Sequence, residues 1–582
     1  MSDTTELAHW FTQSAEARLT LLYGSERVSL LMERLINRLQ QESIKSEISA
    51  SKSHWSEQDI ILITYGDSIQ QPDEVPLQTL HEFLSLHLKG SINSVHVLPY
   101  FPYSSDDGFS VIDYKTVNPS LGDWSDIERI NKDFYLMTDL VINHVSRENL
   151  WFIEYLSKQQ PGSDYFIEMP QDTDTSQVVR PRSTPVLTPV HTHDGIRYVW
   201  ATFGEDQIDA NFANPDVLFE FIDILLLYVA KGSRFIRLDA IAFLWKKAGT
   251  RCINLRETHE VVKLLRDILD VVALGTVLIT ETNVPNGENL SYFGNSDEAH
   301  MVYQFTLPPL LLHALYHGNS HYLSQWAKDM PRPPKNCTYL NFIASHDGIG
   351  LRPAEGILPE QEVQALVDAM HEYKGYVSMR TDTFGKESPY EINIALFDAL
   401  KGTHLGLDDY QVPRFIAAHT IMIALQGIPA LYIHSLIATT SDHQGVEQTG
   451  RTRSINRRKW QYDELLDLLN NPTAAHGTVF HELKRQLQIR CKHPAFHPSA
   501  LQETLSLGDN LFAFWRTSLD QQQHILCINN ISPEIQILTL PEHPIAGGSG
   551  VWRDLIERTA LGKGTRTLKL YPYQCAWLEA LD

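Results

Sequence analysis

The sequence predicts a (β/α)8 barrel, in which eight parallel strands alternate with helices. Eight short apolar runs are spaced along the chain, with helix-like stretches between most of them. Three of these runs lead into an acidic residue: Asp239 in FIRLDAIAF, Glu281 in VLITETN and Asp347 in FIASHDG. Because catalytic groups gather where barrel strands end, we expect these three carboxylates to meet in one pocket.

The eight strand candidates are rich in the β-branched and aromatic residues that buried strands favour. An open doubly wound sheet rarely needs so many parallel strands, which favours closure into a barrel. The candidates are DIILITYG (59–66), SVHVLPYF (94–101), FYLMTDLVINHV (134–145), RFIRLDAIAF (234–243), TVLITETN (276–283), MVYQFTL (301–307), CTYLNFIASHD (337–347) and PALYIHSL (429–436).

Two connections are too long to be simple loops. Residues 146–215 follow the third strand, are rich in Pro, Thr, Asp and Gln, and predict an inserted subdomain over the barrel mouth. Residues 348–410 follow the seventh strand and predict a long active-site loop region, because long loops in compact proteins are usually functional. The catalytic barrel is therefore assigned to residues 56–145 and 216–490.

The two ends of the chain lie outside this barrel pattern. Leucines recur at helical spacing within residues 1–55, which predicts an amphipathic helical extension that packs against the barrel or a partner subunit. After about residue 490, short runs such as NLFAFWR and HILCINNIS predict a small antiparallel β-domain, assigned to residues 491–582.

Composition limits the possible partners. The 582 residues are 43% hydrophobic, enough for a large core, and the net charge of −23 argues against nucleic acid and anionic membranes. Five cysteines without CxxC spacing argue against a disulfide framework or a zinc site. Neither a signal peptide nor an apolar run of about 18 residues is found. We expect a cytoplasmic monomer or homodimer.

Four motifs, in order, resemble the four signature regions of glycoside hydrolase family 13, the α-amylase clan. They are DLVINHVS (139–146), GSRFIRLDA (232–240), LITETN (278–283) and FIASHDG (342–348). A fifth, DQIDANFANP (206–215), lies where that family places one near the end of its inserted subdomain. Any one motif alone would usually be a surface loop or a capped helix start, whereas five in order are specific.

Further segments are similar to the sucrose phosphorylase subfamily: SSDDGFSVIDY (104–114), RPRSTP (180–185), SHDGIG (345–350), SPYEIN (388–393) and TRSINRRKW (452–460). Within it, IASHDGIGLRP together with ITETNVP most resembles the glucosylglycerol and glucosylglycerate phosphorylases. The resemblance implies a retaining α-glucoside phosphorylase.

The resemblance also implies roles for the three acids: Asp239 as nucleophile, Glu281 as general acid/base and Asp347 as transition-state stabiliser. The chemistry agrees, because a retaining reaction needs two carboxyl groups about 5–5.5 Å apart. Arg237, two residues before Asp239 on the same strand face, is expected to keep Asp239 ionised. Glu281 needs a raised pKa to donate a proton.

The remaining site residues follow from the same resemblance. The glucose-binding set is expected to contain His144 and His346 around the cleaved bond, Asp106 and Arg453 at the far end of the ring, Phe203 and Gln207 in the lining, and Phe109 as a stacking platform. Phosphate is expected to bind Arg182, with Tyr390 beside it, because an arginine matches phosphate oxygens in pairs. The alternatives are a structural salt bridge for Arg182 and simple packing for Tyr390.

The resemblance favours 2-O-α-D-glucosylglycerol as the substrate, and we expect phosphate to split it into α-D-glucose 1-phosphate and glycerol through a β-glucosyl-enzyme. Glucosylglycerate and sucrose are the alternatives. Glu391, beside Tyr390, would oppose an anionic acceptor, whereas Arg352 or Arg380 could bind the carboxylate of glycerate. A hydrolase or transglucosidase of the same family, or a non-catalytic binding barrel, stay open as other interpretations.

No cofactor and no metal are expected. Some members of the family bind calcium near the third strand, but the inserted segment has no evident cage of oxygen ligands. His191 and His193, in VHTHDG, could imitate a metal-binding pair but are better explained as part of a solvated loop.

Overall fold

The computed structural model describes residues 2–41, 54–182, 184–381, 387–542 and 550–581. At its centre, eight parallel strands close into a barrel in which each strand pairs with its neighbours in the chain and β8 pairs with β1. The strands are β1 (Ile61–Thr64), β2 (Ser94–Val97), β3 (Tyr135–Leu140), β4 (Ser233–Leu238), β5 (Val277–Thr280), β6 (Met301–Tyr303), β7 (Thr338–Asn341) and β8 (Ile428–Tyr432). Each strand candidate overlaps one of them, and the predicted barrel is confirmed.

Helices surround the barrel and begin where the sequence supplies helix-starting residues. At α6, for example, the side chain of Asn214 accepts a hydrogen bond from the N–H of Asp216 at 3.0 Å, and Pro215 occupies the first turn. The helices are α1 (Ser2–Tyr23), α2 (Ser25–Gln41), α3 (Pro76–Phe83), α4 (Trp124–Asp133), α5 (Leu150–Ser157), α6 (Pro215–Ala230), α7 (Arg256–Val272), α8 (Asn286–Leu290), α9 (Leu307–His317), α10 (His321–Asp329), α11 (Glu360–Glu372), α12 (Leu396–Ala399), α13 (Gln411–Ala424), α14 (Ile433–Leu436), α15 (His443–Thr449), α16 (Tyr462–Asn470) and α17 (Ala475–Arg490).

The segment after β3 contains α5, an antiparallel hairpin (Leu187–Thr192 with Gly195–Trp200) and a short ladder between His144–Ser146 and Gln207–Asp209. The ladder returns the inserted segment to the end of β3. It therefore brings His144 and Gln207, 63 residues apart in the chain, to the same side of the barrel mouth.

The segment after β7 forms a three-stranded antiparallel sheet of Ile349–Gly350, Tyr376–Thr381 and Glu387–Asn393, with α11 before its second strand. The chain passes very close to this sheet at Gly348, where a Cβ atom would lie 2.5 Å from Cγ of Glu391. A larger residue would push the sheet away. Residues 382–386 of this predicted loop region lie outside the described residues.

The N-terminal helices pack against the outside of the barrel. Leu19 and Leu35 are fully buried, and Arg18 of α1 pairs with Asp267 of α7 at 2.6 Å. Arg38 of α2 pairs with Asp223 of α6, also at 2.6 Å. The extension thus covers two barrel helices, while residues 42–53 of the predicted segment lie outside the described residues.

The C-terminal region contains a six-stranded antiparallel sheet with the order β9-β10-β11-β14-β12-β13. Its strands are β9 (Leu501–Leu505), β10 (Leu511–Thr517), β11 (His524–Asn530), β12 (Val551–Asp554), β13 (Thr559–Leu561) and β14 (Cys575–Leu581), with a separate pair of Gln536–Thr539 and Thr567–Leu570. Alternate residues of β10 face opposite sides, with Phe512 and Phe514 in the main core and Leu511 and Ala513 in a second apolar cluster.

All five cysteines are free. Within the described ranges, no helix is both long enough and apolar enough to cross a membrane.

Candidate active site

A pocket enclosing about 710 Å³, including its open mouth, lies beyond the ends of the barrel strands. It has the size of a small-ligand site. Every predicted site residue lines it except Arg352 and Arg380. The lining residues are Asp106, Phe109, His144, Arg182, Phe203, Gln207, Arg237, Asp239, Ala240, Ala242, Phe243, Glu281, Thr282, Asn283, Phe305, His346, Asp347, Gly348, Tyr390, Glu391 and Arg453.

The barrel ladder itself places the first two acids. The N–H of Asp239 donates to the carbonyl of Leu140 at the end of β3, at 3.1 Å, and the N–H of Glu281 donates to that of Leu238 at the end of β4, at 3.2 Å. Ala240 then turns the chain with φ of +52°, a conformation that costs a non-glycine residue about 1 kcal/mol or more. The turn lets the N–H of Ala240 donate to Oε2 of Glu281 at 2.9 Å, which links the two acids.

Arg237 lies at the centre of the buried charges. Its Nη1 atom is 2.8 Å from Oδ1 of Asp239 and also contacts Asp139, while Nη2 is 3.8 Å from Oε2 of Glu281. Asp139 is held in turn by Nε2 of His96 at 2.6 Å. Asp139 therefore holds the guanidinium of Arg237 in position. Because Arg237 is closer to Asp239 than to Glu281, it favours the ionised form of Asp239 more.

Burial raises the pKa of Glu281 to about 7; Arg237 opposes the rise, and the nearby charges of Asp239 and Asp347 add to it. Burial also raises the pKa of Asp239, and Arg237 and His144 oppose this rise. The expected effect of Arg237 is present, but burial outweighs it. Because Arg237 is closer to Asp239, a proton shared by the two carboxyl groups favours Glu281.

Asp347 has the opposite electrostatic environment. Burial disfavours its charge, but the positive charge of Arg453, aided by Arg457 and Arg237, outweighs burial and lowers the pKa of Asp347. Nη1 of Arg453 is 2.6 Å from Oδ1 of Asp347. Arg453 also binds both carboxylate oxygens of Glu391, at 3.0 and 2.7 Å. Arg453 thus holds Asp347 in its ionised form and also neutralises the charge of Glu391.

The structure adds a second arginine at the far end of the pocket. Asp106 and Arg453 both line it, but the cation nearest Asp106 is Arg457, whose Nη1 is 3.7 Å from Oδ1 of Asp106 and 2.5 Å from Oδ2 of Asp107. Both aspartates have positive φ, 52° and 49°. Sequence reasoning missed Arg457, although it stands in the same TRSINRRKW motif as Arg453.

Aromatic and imidazole rings form the wall near the acids. Phe109 stacks on His346 with 4.9 Å between ring centroids and an angle of 4°. Burial lowers the pKa of His346 to about 3, so this ring is neutral. Nε2 of His144 lies 2.9 Å from the carbonyl of Phe109 and 3.2 Å from Nε2 of Gln207. Phe203 packs against His144 with centroids 5.3 Å apart.

A buried lysine ties the inserted segment to the barrel. Nζ of Lys246 is 2.5 Å from Oδ2 of Asp209 and 2.7 Å from Oδ1 of Asn143. Burial lowers the pKa of Lys246, and Asp209 opposes that change. These oxygens at the end of β3 are therefore neutralised by an ammonium group of the chain. Lys246 joins the segments that contain Asp239, His144 and Gln207, and it was not among the predicted site residues.

The other side of the pocket surrounds Tyr390. The Tyr390 hydroxyl accepts a hydrogen bond from Nδ2 of Asn283 at 3.5 Å, and its carbonyl accepts one from Leu351 at 3.0 Å. Burial raises the pKa of Tyr390, while the positive charges of Arg182 and Arg352 oppose the rise. Asn283 was missed as a site residue, although it ends the LITETN motif.

Arg182 and Arg352 have no carboxylate within ion-pair distance among the residues that the structure describes. Arg182 is half-buried, and its Nη1 reaches only the carbonyl of Pro181 at 3.4 Å. Arg352 is 4% exposed, lies outside the pocket lining, and its buried Nε has no hydrogen-bond partner in the described part of the chain. Arg380, by contrast, pairs with Glu355.

His191 and His193 lie on the hairpin of the inserted segment, away from the pocket lining. Both are exposed, and Nδ1 of His193 is 3.1 Å from the carboxylate of its neighbour Asp194.

Comparison with known proteins places this site in a family. The family model for the α-amylase catalytic domain matches residues 88–348. The chain is 42% identical to a glucosylglycerate phosphorylase of Escherichia coli (strain K12), over 96% of this chain and 98% of that protein. It is 31% identical to a glucosylglycerol phosphorylase of Marinobacter adhaerens, over 75% of this chain and 87% of that protein.

Among solved structures, a sucrose 6F-phosphate phosphorylase from Thermoanaerobacter thermosaccharolyticum superposes with a TM-score of 0.73 at 21% identity, over 90% of this chain and all of that one. This likeness supports the fold. The extended match in sequence, the five ordered motifs and the barrel agree, and the chain belongs to the sucrose phosphorylase-like glucoside phosphorylases of glycoside hydrolase family 13.

Proposed function

We propose that the chain catalyses the reversible phosphorolysis of glucosylglycerate to α-D-glucose 1-phosphate and glycerate, with retention at the anomeric carbon. The observation on which this rests is the pair of arginines beside Tyr390, Arg182 and Arg352, which lack a carboxylate partner in the described part of the chain. The strongest similarity reported above is to a glucosylglycerate phosphorylase, which supports the same choice.

In the first half of the reaction, Asp239 attacks the anomeric carbon and Glu281 gives its proton to the departing glycerate oxygen. The raised pKa of Glu281 supports the donor role, and the contact of Arg237 with Asp239 supports the nucleophile role. The product is a β-glucosyl ester of Asp239. Asp347, held ionised by Arg453, accepts hydrogen bonds from sugar hydroxyls and offsets the positive charge that develops on the ring.

In the second half, phosphate enters the site that glycerate has left. Glu281 now takes a proton from phosphate, whose oxygen attacks the anomeric carbon and displaces Asp239. The second inversion restores the α configuration. Glycerate and phosphate occupy the same region in turn, so one group of cations serves both.

Binding of an anion would explain why these two arginines have no carboxylate partner in the described part of the chain. Removing an unpaired cation from water is costly, and the cost is offset when a ligand supplies the opposite charge. Arg182 lines the pocket and can bind carboxylate or phosphate oxygens through two parallel N–H groups. Arg352, buried behind the lining near Tyr390, adds positive potential to the same region.

This proposal corrects the preference for glycerol that the sequence suggested. That preference depended on Glu391 opposing an anionic acceptor, but both oxygens of Glu391 are bound to Arg453, which neutralises the charge. The comparison also favours glycerate, since identity to the glucosylglycerol phosphorylase is 31% against 42% for the glucosylglycerate phosphorylase.

Two assays test the proposal. With glucosylglycerate and phosphate, the expected product is α-D-glucose 1-phosphate; release of free glucose alone would contradict phosphorolysis. With α-D-glucose 1-phosphate as donor, phosphate release is followed with glycerate, glycerol or fructose as acceptor. Glycerate should give the highest kcat/KM, and a higher value for glycerol would overturn the anionic acceptor while leaving the phosphorylase class intact.

A further inference from the structure

We propose that His313, His317 and Glu362 form a Zn²⁺ site on the outer surface of the barrel. The two histidines stand four residues apart in α9 and therefore share one face of that helix. Glu362 stands in the first turn of α11, within the long segment that follows β7. Nothing in the phosphorolysis mechanism uses these three residues.

The donor atoms are close enough to bind one ion. Nε2 of His313 is 2.5 Å and Nε2 of His317 is 3.6 Å from Oε2 of Glu362. One ligand atom from each residue lies within 4.8 Å of the others. Ligands at about 2.0–2.2 Å from a tetrahedral zinc ion lie roughly 3.3 Å from one another, so the His317–Glu362 distance already fits and the His313–Glu362 contact must open slightly.

The types of donor also suit zinc. Two imidazoles and one carboxylate are a known three-ligand set for Zn²⁺, which leaves a fourth position for water. His313 is buried, while the side chains of His317 and Glu362 are 25% and 35% exposed, so an ion can reach the cluster from solvent. Nε2 of His317, one of the three donors, is buried and has no hydrogen-bond partner in the described residues.

Neighbouring rings hold the two imidazoles in place. His404 stacks on His317 with centroids 5.4 Å apart, and Nδ1 of His404 is itself 3.1 Å from the carbonyl of Tyr316. Tyr322 meets the His313 ring edge-on at 5.4 Å. Ligands fixed by packing before the ion arrives bind it with a smaller loss of side-chain entropy.

A bound ion would add a direct link between two parts of the fold. Helix α9 belongs to the barrel, whereas α11 lies between the turn that contains Arg352 and the sheet that contains Tyr390 and Glu391. Zinc at this point would hold α11, and with it the segment that follows β7, against the barrel. The site itself is inferred from its three donors and does not depend on which acceptor the enzyme uses.

The test is calorimetric titration of the full chain with ZnCl₂ after treatment with EDTA and desalting. The chain has 25 histidines, so weak binding elsewhere is expected and matched variants are needed. The wild type should bind one equivalent saturably. His317→Ala and Glu362→Gln should weaken that binding about 100-fold or more, since loss of an outer-shell group alone costs 10–100-fold. His321→Ala, an exposed histidine at the start of α10, should bind like the wild type.

Co²⁺ gives a second readout, because a tetrahedral site with these ligands produces visible absorption bands that should disappear in His317→Ala. Zinc should also raise the melting temperature of the wild type but not that of His317→Ala, since a ligand that binds only the folded state stabilises it. Absence of a saturable one-equivalent event in the wild type, or equal affinity in His317→Ala, would overturn the site and leave a simple histidine–carboxylate contact between two helices.

Discussion

The pocket has a glucosyl side, formed around the three acids Asp239, Glu281 and Asp347, and an acceptor side around Tyr390. The two sides use arginine in opposite ways. On the glucosyl side, Arg237, Arg453 and Arg457 each contact at least one buried or half-buried carboxylate. On the acceptor side, Arg182 and Arg352 have no such partner among the described residues. The glucosyl side therefore has its charges balanced before substrate arrives, whereas the acceptor side acquires its balance from the ligand.

This difference matches the proposed reaction. The same glucosyl unit stays in place through both half-reactions, and a fixed, charge-balanced wall can stabilise each transition state without rearranging. The acceptor site must release glycerate and then take up phosphate. A site whose cations are offset by either anion can perform both tasks.

The largest effect should come from Asp239, the proposed nucleophile. Asp239→Asn removes the attacking carboxylate, and kcat/KM for glucosylglycerate should fall by about 10⁵-fold. Measurement of glucose 1-phosphate formation with an unchanged melting temperature checks this result. Activity within about tenfold of the wild type would show that another group attacks the sugar.

The next largest loss of activity tests the glucosyl side, where the charges are balanced. Arg453→Gln leaves Asp347 and Glu391 buried without their shared cation, so kcat should fall by about 10²- to 10³-fold. Because the substitution weakens contacts to the glucosyl unit, the fall in kcat should be similar for glycerate, glycerol and phosphate. A loss confined to the anionic acceptors would place Arg453 on the acceptor side instead.

The pH dependence tests the proton donor. Glu281 must be protonated when glycerate leaves, and its raised pKa of about 7 keeps it so below that pH. At saturating phosphate, kcat/KM for glucosylglycerate should fall roughly tenfold per pH unit above about pH 7. At low pH it should fall again as Asp239, whose pKa burial also raises, becomes protonated. Glu281→Gln should have low activity without this decline; if its profile still falls above pH 7, another group is responsible.

Stability should respond in opposite ways to a paired and an unpaired cation. Lys246→Met leaves Asp209 buried without its partner and should reduce the free energy of unfolding by about 3–5 kcal/mol. Arg352→Met removes a buried cation that has no carboxylate partner in the described part of the chain, so it should be neutral or stabilising when no anion is present. Denaturant unfolding of both variants in phosphate-free buffer checks this contrast. Equal destabilisation would mean that Arg352 has a structural partner.

Local sequence predicted those parts of the site that depend on position along a strand. Asp239 and Glu281 stand one residue beyond β4 and β5, where the barrel ladder fixes them, so an apolar run followed by an acid was enough. His144 and Gln207 required the resemblance to a family, because only the inserted ladder brings them together.

Pairing between charges could not be predicted in this way. The motif TRSINRRKW contains Arg453, Arg457 and a third arginine, and the turn geometry decides which of them reaches Asp347 and which reaches Asp107. The neutralisation of Glu391 by Arg453 spans 62 residues and was equally invisible. The histidines of α9 are visible as a pair in HALYH, but Glu362 is 49 residues beyond His313.

The most direct test of the difference between the two sides compares glycerate with glycerol as acceptor. With α-D-glucose 1-phosphate as donor, kcat/KM for glycerate divided by that for glycerol cancels the shared first step. The ratio should favour glycerate in the wild type, fall about 10- to 100-fold in Arg182→Gln as a charge-assisted contact is lost, and stay unchanged in Arg453→Gln. A ratio that Arg182→Gln leaves intact, or that Arg453→Gln abolishes, would contradict the assignment of anion recognition to the unpaired arginines.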